Sequence, residues 1–141
     1  MENKKPKVLS VGNCGFDHGN IGLVLSEYFG AEVQAASTSE QAFCEVREGQ
    51  FDLVLVNRVF DANGELGLDL IKKLQSDEGT RATPVMLVSN YPDAQDAAIA
   101  LGARPGFGKN ALTQPETREA LASVFRKSSE VDEQFIRPSG R

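Results

Sequence analysis

The capacity of this chain for chemistry turns on Asn57. It ends the run Phe51-Asp52-Leu53-Val54-Leu55-Val56-Asn57, and a short apolar run of this kind reads as a fully buried parallel strand. A polar residue at the C-terminal end of such a strand points into the crevice where open α/β sheets place their ligands. An aspartate there would be a nucleophile or a metal ligand. The carboxamide of Asn57 is poor at both, because its nitrogen is delocalised and its oxygen uncharged. A second candidate is the glycine-rich stretch Gly12-Asn13-Cys14-Gly15-Phe16-Asp17-His18-Gly19. It follows a strand-like segment and could cradle an anion at a helix N-terminus, although it matches neither the Walker pattern nor the dinucleotide fingerprint. Within it, Cys14 and His18 could pair as thiolate and base; a surface histidine and a loop cysteine are the plainer alternative.

These residues need elements to position them. Lys7–Val11 reads as a first strand. Ile21, Val24, Leu25 and Tyr28 repeat at helical spacing, with Gly30 as the stop. Glu32 to Ala35 gives a short second strand, and a helix from Ser39 turns Ala42, Phe43 and Val46 inward before Gly49. After the Phe51–Asn57 strand, a loop holding Asp61, Asn63, Gly64 and Gly67 leads into a helix whose Leu70, Ile71 and Leu74 share a face. Pro84 to Ser89 is another buried strand. An alanine-rich helix from Asp93 to Leu101 is expected to turn Ala94, Ala97, Ala98 and Leu101 inward, with Gly102 ending it. Arg104 to Gly108 reads as a weak fifth strand. Thr113-Gln114-Pro115-Glu116 resembles a capping box, opening a helix with Leu121, Val124 and Phe125 inward. Strand and helix thus alternate five times, which predicts a parallel sheet covered on both faces by helices.

Length and composition set further bounds. With 141 residues, the chain is one compact domain. Its hydrophobic fraction of 40% and charged fraction of 25% are those of a globular protein. The net charge of −5 argues against a nucleic-acid partner, which needs clustered Lys and Arg. No apolar run approaches the roughly 20 residues that span a bilayer, and no signal-peptide pattern opens the chain, so no membrane association and a cytoplasmic location are expected. Cys14 and Cys44 are isolated, and no disulfide is expected between them.

Taken in order, these segments resemble the receiver domains of two-component response regulators over residues 6–126. Lys7–Val11 is similar to the family's first strand, and Asp52–Asn57 to the third, which there ends in the phosphoacceptor aspartate. Gly67-Leu68 resembles the opening of the third helix. Thr83–Ser89 resembles the fourth strand with its terminal Ser/Thr, and Leu101-Gly102-Ala103 followed by Lys109 resembles the segment around the fifth. The resemblance implies a flavodoxin-like, doubly wound (βα)5 three-layer sandwich with strand order 2-1-3-4-5. It divides the chain into a tail (1–6), a receiver-like domain (7–127) and a C-terminal tail or helix extension (128–141).

The family's activity needs an acidic pair and the acceptor aspartate to hold Mg²⁺, and a Ser/Thr hydroxyl and a lysine to bind the phosphoryl oxygens. Here the acidic pair falls on Gly12 and Asn13 and the acceptor on Asn57, while Ser89 and Lys109 are retained. With all three carboxylates missing, Mg²⁺ is not expected to bind and no other cofactor is implied. Lys109 becomes a cation without its usual partners, free to bond Asn57, reach Asp61 or Asp17, extend to water, or hold an anion with Ser89. The aromatic switch position of the fifth strand falls on Gly106, beside Phe107. The proline that usually follows the lysine is replaced by Asn110, and Phe60-Asp61 stands in a lengthened loop where Met-Pro is common.

The expected protein is thus a degenerate receiver, not an enzyme. It would bind a protein partner, or a second copy of itself, through its fourth helix, fifth strand and fifth helix, with Asp96, Arg104, Arg118 and Arg126 as candidate contacts. Two alternatives stand beside it: a small anion-binding or thiol enzyme using the Gly12–Gly19 loop, and a phosphorelay receiver with Asp61 or Asp17 as substitute acceptor.

Overall fold

The computed structural model describes residues 5–49 and 51–136, with side chains as far as Phe125 in the last helix. The elements are β1 (Lys7–Val11), α1 (Gly15–Phe29), β2 (Glu32–Ala36), α2 (Ser39–Glu48), β3 (Leu53–Asn57), α3 (Gly67–Ser76), β4 (Val85–Val88), α4 (Pro92–Ala100), β5 (Arg104–Phe107) and α5 (Pro115–Ile136), with a 3₁₀ turn over Lys109–Ala111. The strands form one sheet in the order β2-β1-β3-β4-β5. All pairings between neighbours are parallel. This is the flavodoxin-like three-layer arrangement expected from the sequence.

Central strands of a doubly covered sheet must be apolar on both faces. All five residues of β3 are buried accordingly, as are all four of β4. Leu9, Val11, Val54, Val56 and Leu87 face a core shared with α2, α3 and α4. Val8, Leu53, Leu55, Met86 and Val88 face a second core with Ile21, Leu25, Phe107, Leu121 and Val124, on the α1 and α5 side. The edge strand β2 shows only Ala36 to the interior.

Caps fix the element ends. Gly30, at φ 65°, closes α1 by donating its N–H to the carbonyls of Leu25 and Ser26. The Thr38 hydroxyl accepts the N–H of Gln41 to open α2, and Pro92 stands at the start of α4. Two local expectations need correction. α1 starts at Gly15, so only residues 12–14 of the glycine-rich stretch are loop. α5 starts at Pro115, so Gln114, whose carbonyl accepts the N–H of Arg118, holds the cap position expected of Thr113. In α4, Ala98 is buried and Ala94 packs against the same core, as does Leu101 at the helix end, in line with the sequence; the polar Gln95 also turns inward. The helix α5 continues past residue 127. Positions 1–4 and 137–141, within the two expected tails, lie outside the described residues. Among the described residues, no helix is long and apolar enough to cross a membrane.

Candidate functional site

At the C-terminal end of β3, Asn57 is 9% exposed. Its Nδ2 donates to the carbonyl of Val59 at 2.7 Å and to that of Gly12 at 3.1 Å. Both partners are backbone acceptors, so only the NH2 side of the carboxamide can face them. The same Gly12 carbonyl also accepts the N–H of Asp61 at 2.9 Å. Asn57 therefore works as a tie between the β1–α1 turn and the loop after β3, and a carboxylate in its place would oppose two carbonyl oxygens.

That loop is folded on itself. Val59 and Leu66 form an antiparallel bridge, and Phe60 N–H donates to Glu65 O at 2.8 Å. The Glu65 carboxylate accepts from Ser39 N–H at 2.9 Å and from Asn63 Nδ2 at 3.0 Å. These donors, the backbone N–H of Ser39 first, hold its pKa below the usual range. The fold of the loop drives Phe60 inward, where it is 1% exposed. Its ring lies directly on Gly12, which has φ 78°; a Cβ on Gly12 would stand 2.6 Å from Phe60 Cγ. The first position of the expected acidic pair is thus covered by an aromatic ring. At the second, Asn13 donates to Ser10 Oγ at 3.0 Å and buries its Oδ1 without a partner. Residues here do not fit a divalent cation: an aromatic ring and two carboxamides stand where carboxylates would be needed. Among the described residues, no three of His, Cys, Asp and Glu form a metal-ligand set.

Ser89 and Lys109 occupy the opposite side of the same sheet edge. Ser89 is buried, and its hydroxyl accepts the N–H of Tyr91 at 3.1 Å. The Lys109 ammonium pairs with Asp17 at 2.7 Å. The charge on Lys109 is therefore balanced by Asp17, one of the partners considered from the sequence, rather than left uncompensated. That hydrogen bond is the main cause holding the Asp17 carboxyl below its usual pKa; burial opposes it, and Cys14 assists. Asp17 sits in the first turn of α1, where Cys14 Sγ accepts its N–H at 3.5 Å as a weak cap. The Cys14 thiol is thereby directed at Asp17. Among the described residues no hydrogen bond joins it to the His18 ring, whose Nδ1 is buried without a partner. The two are linked only through the helical bond from His18 N–H to Cys14 O. The thiolate–base pair conceived from the sequence is not assembled.

Between these loops lies an open cleft of about 210 Å3, lined by Asn57, Arg58, Ser89, Asn90, Tyr91 and Lys109 among others, with no carboxylate in its wall. The guanidinium of Arg58 stacks on Tyr91, 4.8 Å from the ring centroid. The Oδ1 of Asn90 accepts the N–H of Asn110, tying the loops after β4 and β5. Asp61, the other proposed substitute acceptor, is exposed and away from this wall.

Gly106, the position expected of an aromatic switch, is closed as firmly as Gly12. A Cβ on Gly106 would overlap the Leu87 carbonyl and stand 3.0 Å from Gln95 Oε1. Gln95 fills that space from α4. It donates to Leu87 O at 2.9 Å and to Ser89 O at 3.1 Å, and accepts from Gly106 N–H at 3.1 Å. It thus spans the register irregularity between β4 and β5. Phe107 is buried among Leu121 and Val124 and does not replace a surface aromatic switch. Sequence reasoning missed Phe60, Arg58 and Gln95 as site residues; the replacement of Met-Pro by Phe60-Asp61 was the one available signal.

On the expected partner face, Asp96 is exposed and Arg104 half-buried. Arg118 stacks on Tyr28 of α1, 4.3 Å from the ring centroid. The Arg126 backbone belongs to α5, and its side chain lies outside the described ones.

The fold is that of response regulator receiver domains. The chain superposes on the signal receiver domain of a DNA-binding response regulator protein (merR) from Colwellia psychrerythraea 34H with a TM-score of 0.72 and 18% identity, covering 86% of this chain and 99% of that one. A response regulator assignment also describes a similar structure from Chloroflexus aurantiacus J-10-fl, with a TM-score of 0.70, 19% identity and coverage of 86% and 98%. The receiver domain of the sensor histidine kinase PA1611 from Pseudomonas aeruginosa PAO1, which holds a magnesium ion in its active-site cleft, matches at a TM-score of 0.65 and 15% identity over 88% and 97%. No family model matches the chain. No curated protein matches it in sequence.

Proposed function

We propose that this protein is a degenerate receiver in signal transduction, a protein-interaction module that works without phosphorylation and is not an enzyme. The observation that carries this reading is the use of Asn57 Nδ2 to tie Gly12 to Val59 while Phe60 covers Gly12. Phosphoryl transfer needs an oxygen nucleophile and a cation to neutralise the incoming charge. At this corner a carboxamide and a phenyl ring replace them. Asp17 is not a free substitute, since its carboxylate is engaged by Lys109. The similarity of fold to response regulators supports a signalling role, and the partner surface proposed is α4, β5 and the facing side of α5, with Asp96 and Arg104 as contacts.

Incubation with acetyl phosphate and Mg²⁺ followed by intact mass measurement tests the reading. The expected result is an unchanged mass. A stoichiometric phosphoryl adduct labile to hydroxylamine would refute it. The partner surface is tested separately by capture with the wild-type chain against Asp96→Lys and Arg104→Glu. Loss of a captured partner on charge reversal supports that face, and unchanged capture removes it.

A further inference from the structure

The cleft beside Ser89 has a character that an interaction module does not require. Arg58 projects from the loop after β3 onto the Tyr91 ring, and among the described residues no carboxylate pairs with it. A guanidinium stacked on an aromatic face keeps its hydrogen-bonding edge available and loses little freedom on meeting a planar or tetrahedral oxyanion. Ser89 uses its oxygen to accept the N–H of Tyr91, which leaves the hydroxyl proton to be donated. Lys109 spends one of its three donors on Asp17. Two cations thus border the cleft against the single carboxylate of Asp17, which lies outside the wall.

The size and rim define the ligand further. A volume of about 210 Å3 is well above the ~15 Å3 that admits a single water, enough for an oxyanion and a small body attached to it. Tyr91, 58% exposed, and the exposed Val59 give the opening an apolar border.

We infer that this cleft is a metal-independent site for a small organic anion, with a phosphoryl or carboxylate head on an apolar or aromatic body. Arg58 binds the head in a two-pronged fashion, assisted by Ser89, and the Tyr91 rim covers the body. Asp17 is the built-in competitor: the ligand and Asp17 draw on the same ammonium of Lys109. The inference rests on the absence of a metal-binding acidic corner, as does the proposed function, but it concerns reversible occupancy rather than covalent transfer.

The test is equilibrium titration of the full chain with phenyl phosphate, benzoate and inorganic phosphate in excess EDTA, followed by amide chemical shifts. Saturable shifts at Arg58, Ser89 and Tyr91 are expected, with phenyl phosphate or benzoate binding more tightly than inorganic phosphate; the stronger of the two identifies the head group. Arg58→Met should weaken binding at least about tenfold through loss of a charge-assisted pair. Asp17→Asn should tighten it about threefold or more by freeing Lys109. Both positions are solvent-accessible, so neither variant should fail to fold. No saturable shifts, equal affinity in wild type and Arg58→Met, or weaker binding in Asp17→Asn would each overturn the inference. Because covalent phosphorylation is read by mass and this site by titration, each can fail without the other.

Discussion

Two corners of the same sheet edge have opposite characters. Between β1 and β3 the edge is closed: Phe60 seals Gly12, and Asn57 is used up on backbone carbonyls. Between β3, β4 and β5 the edge is open, polar and cationic, with Arg58, Ser89 and Lys109 around a cleft. The difference teaches that one sheet edge need not be open or closed as a unit. Where an aromatic ring can reach a glycine, the hydrophobic effect converts the position to core. Where the loops after β4 and β5 are pinned by the Asn90–Asn110 bond and by Ser89 bonding Tyr91, the crevice is open.

The contrast can be broken most forcefully at Phe60. Removing a ring that is 1% exposed in Phe60→Ala should cost about 3–5 kcal/mol, read from denaturant unfolding; a loss below ~1 kcal/mol would mean that the ring is not part of the core. Next comes Gly12→Asp, which places a side chain at φ 78° against the ring and should cost roughly 2–4 kcal/mol. Asn57→Asp should cost about 2 kcal/mol, as two donated hydrogen bonds become oxygen–oxygen contacts. It should also leave the protein unable to take up a phosphoryl group from acetyl phosphate, as judged by intact mass.

A smaller effect is expected at the relay. Gln95→Ala removes the bridge between α4, Leu87, Ser89 and Gly106; a loss of about 1–2 kcal/mol should accompany faster amide exchange at Gly106. The open corner should respond least. Asp17→Asn should shift stability by less than ~1 kcal/mol, because the pair with Lys109 is partly exposed. The folded pKa of Asp17 is lowered, chiefly by Lys109. Its contribution is therefore present above the ordinary carboxylate range and is lost as pH falls through the depressed folded value. Thermal midpoints of wild type and Asp17→Asn should differ at neutral pH and converge in acid; a constant offset would count against the pair.

Much of this architecture was legible in the sequence. The all-apolar β3 and β4, the alternation of strand and helix and the stop at Gly30 are local signals with local causes. That Gly12, Asn13 and Asn57 bear no carboxylate was equally plain. How they are packed was not, because it depends on long-range contact. Phe60 is far from Gly12 along the chain and reads as a loop aromatic until the Val59–Leu66 bridge turns it inward. Gln95 looks like a solvent-facing residue in an alanine-rich helix, and only the bulge between β4 and β5 gives its amide partners. The stacking of Arg118 on Tyr28 was not legible for a related reason: the two residues are brought together only by the packing of α5 beside α1.

The contact of Phe60 with Gly12 makes the two positions interdependent. Any side chain placed at Gly12 must displace the ring or endure its collision. A cation-binding turn could therefore be engineered at this corner only by changing both positions together.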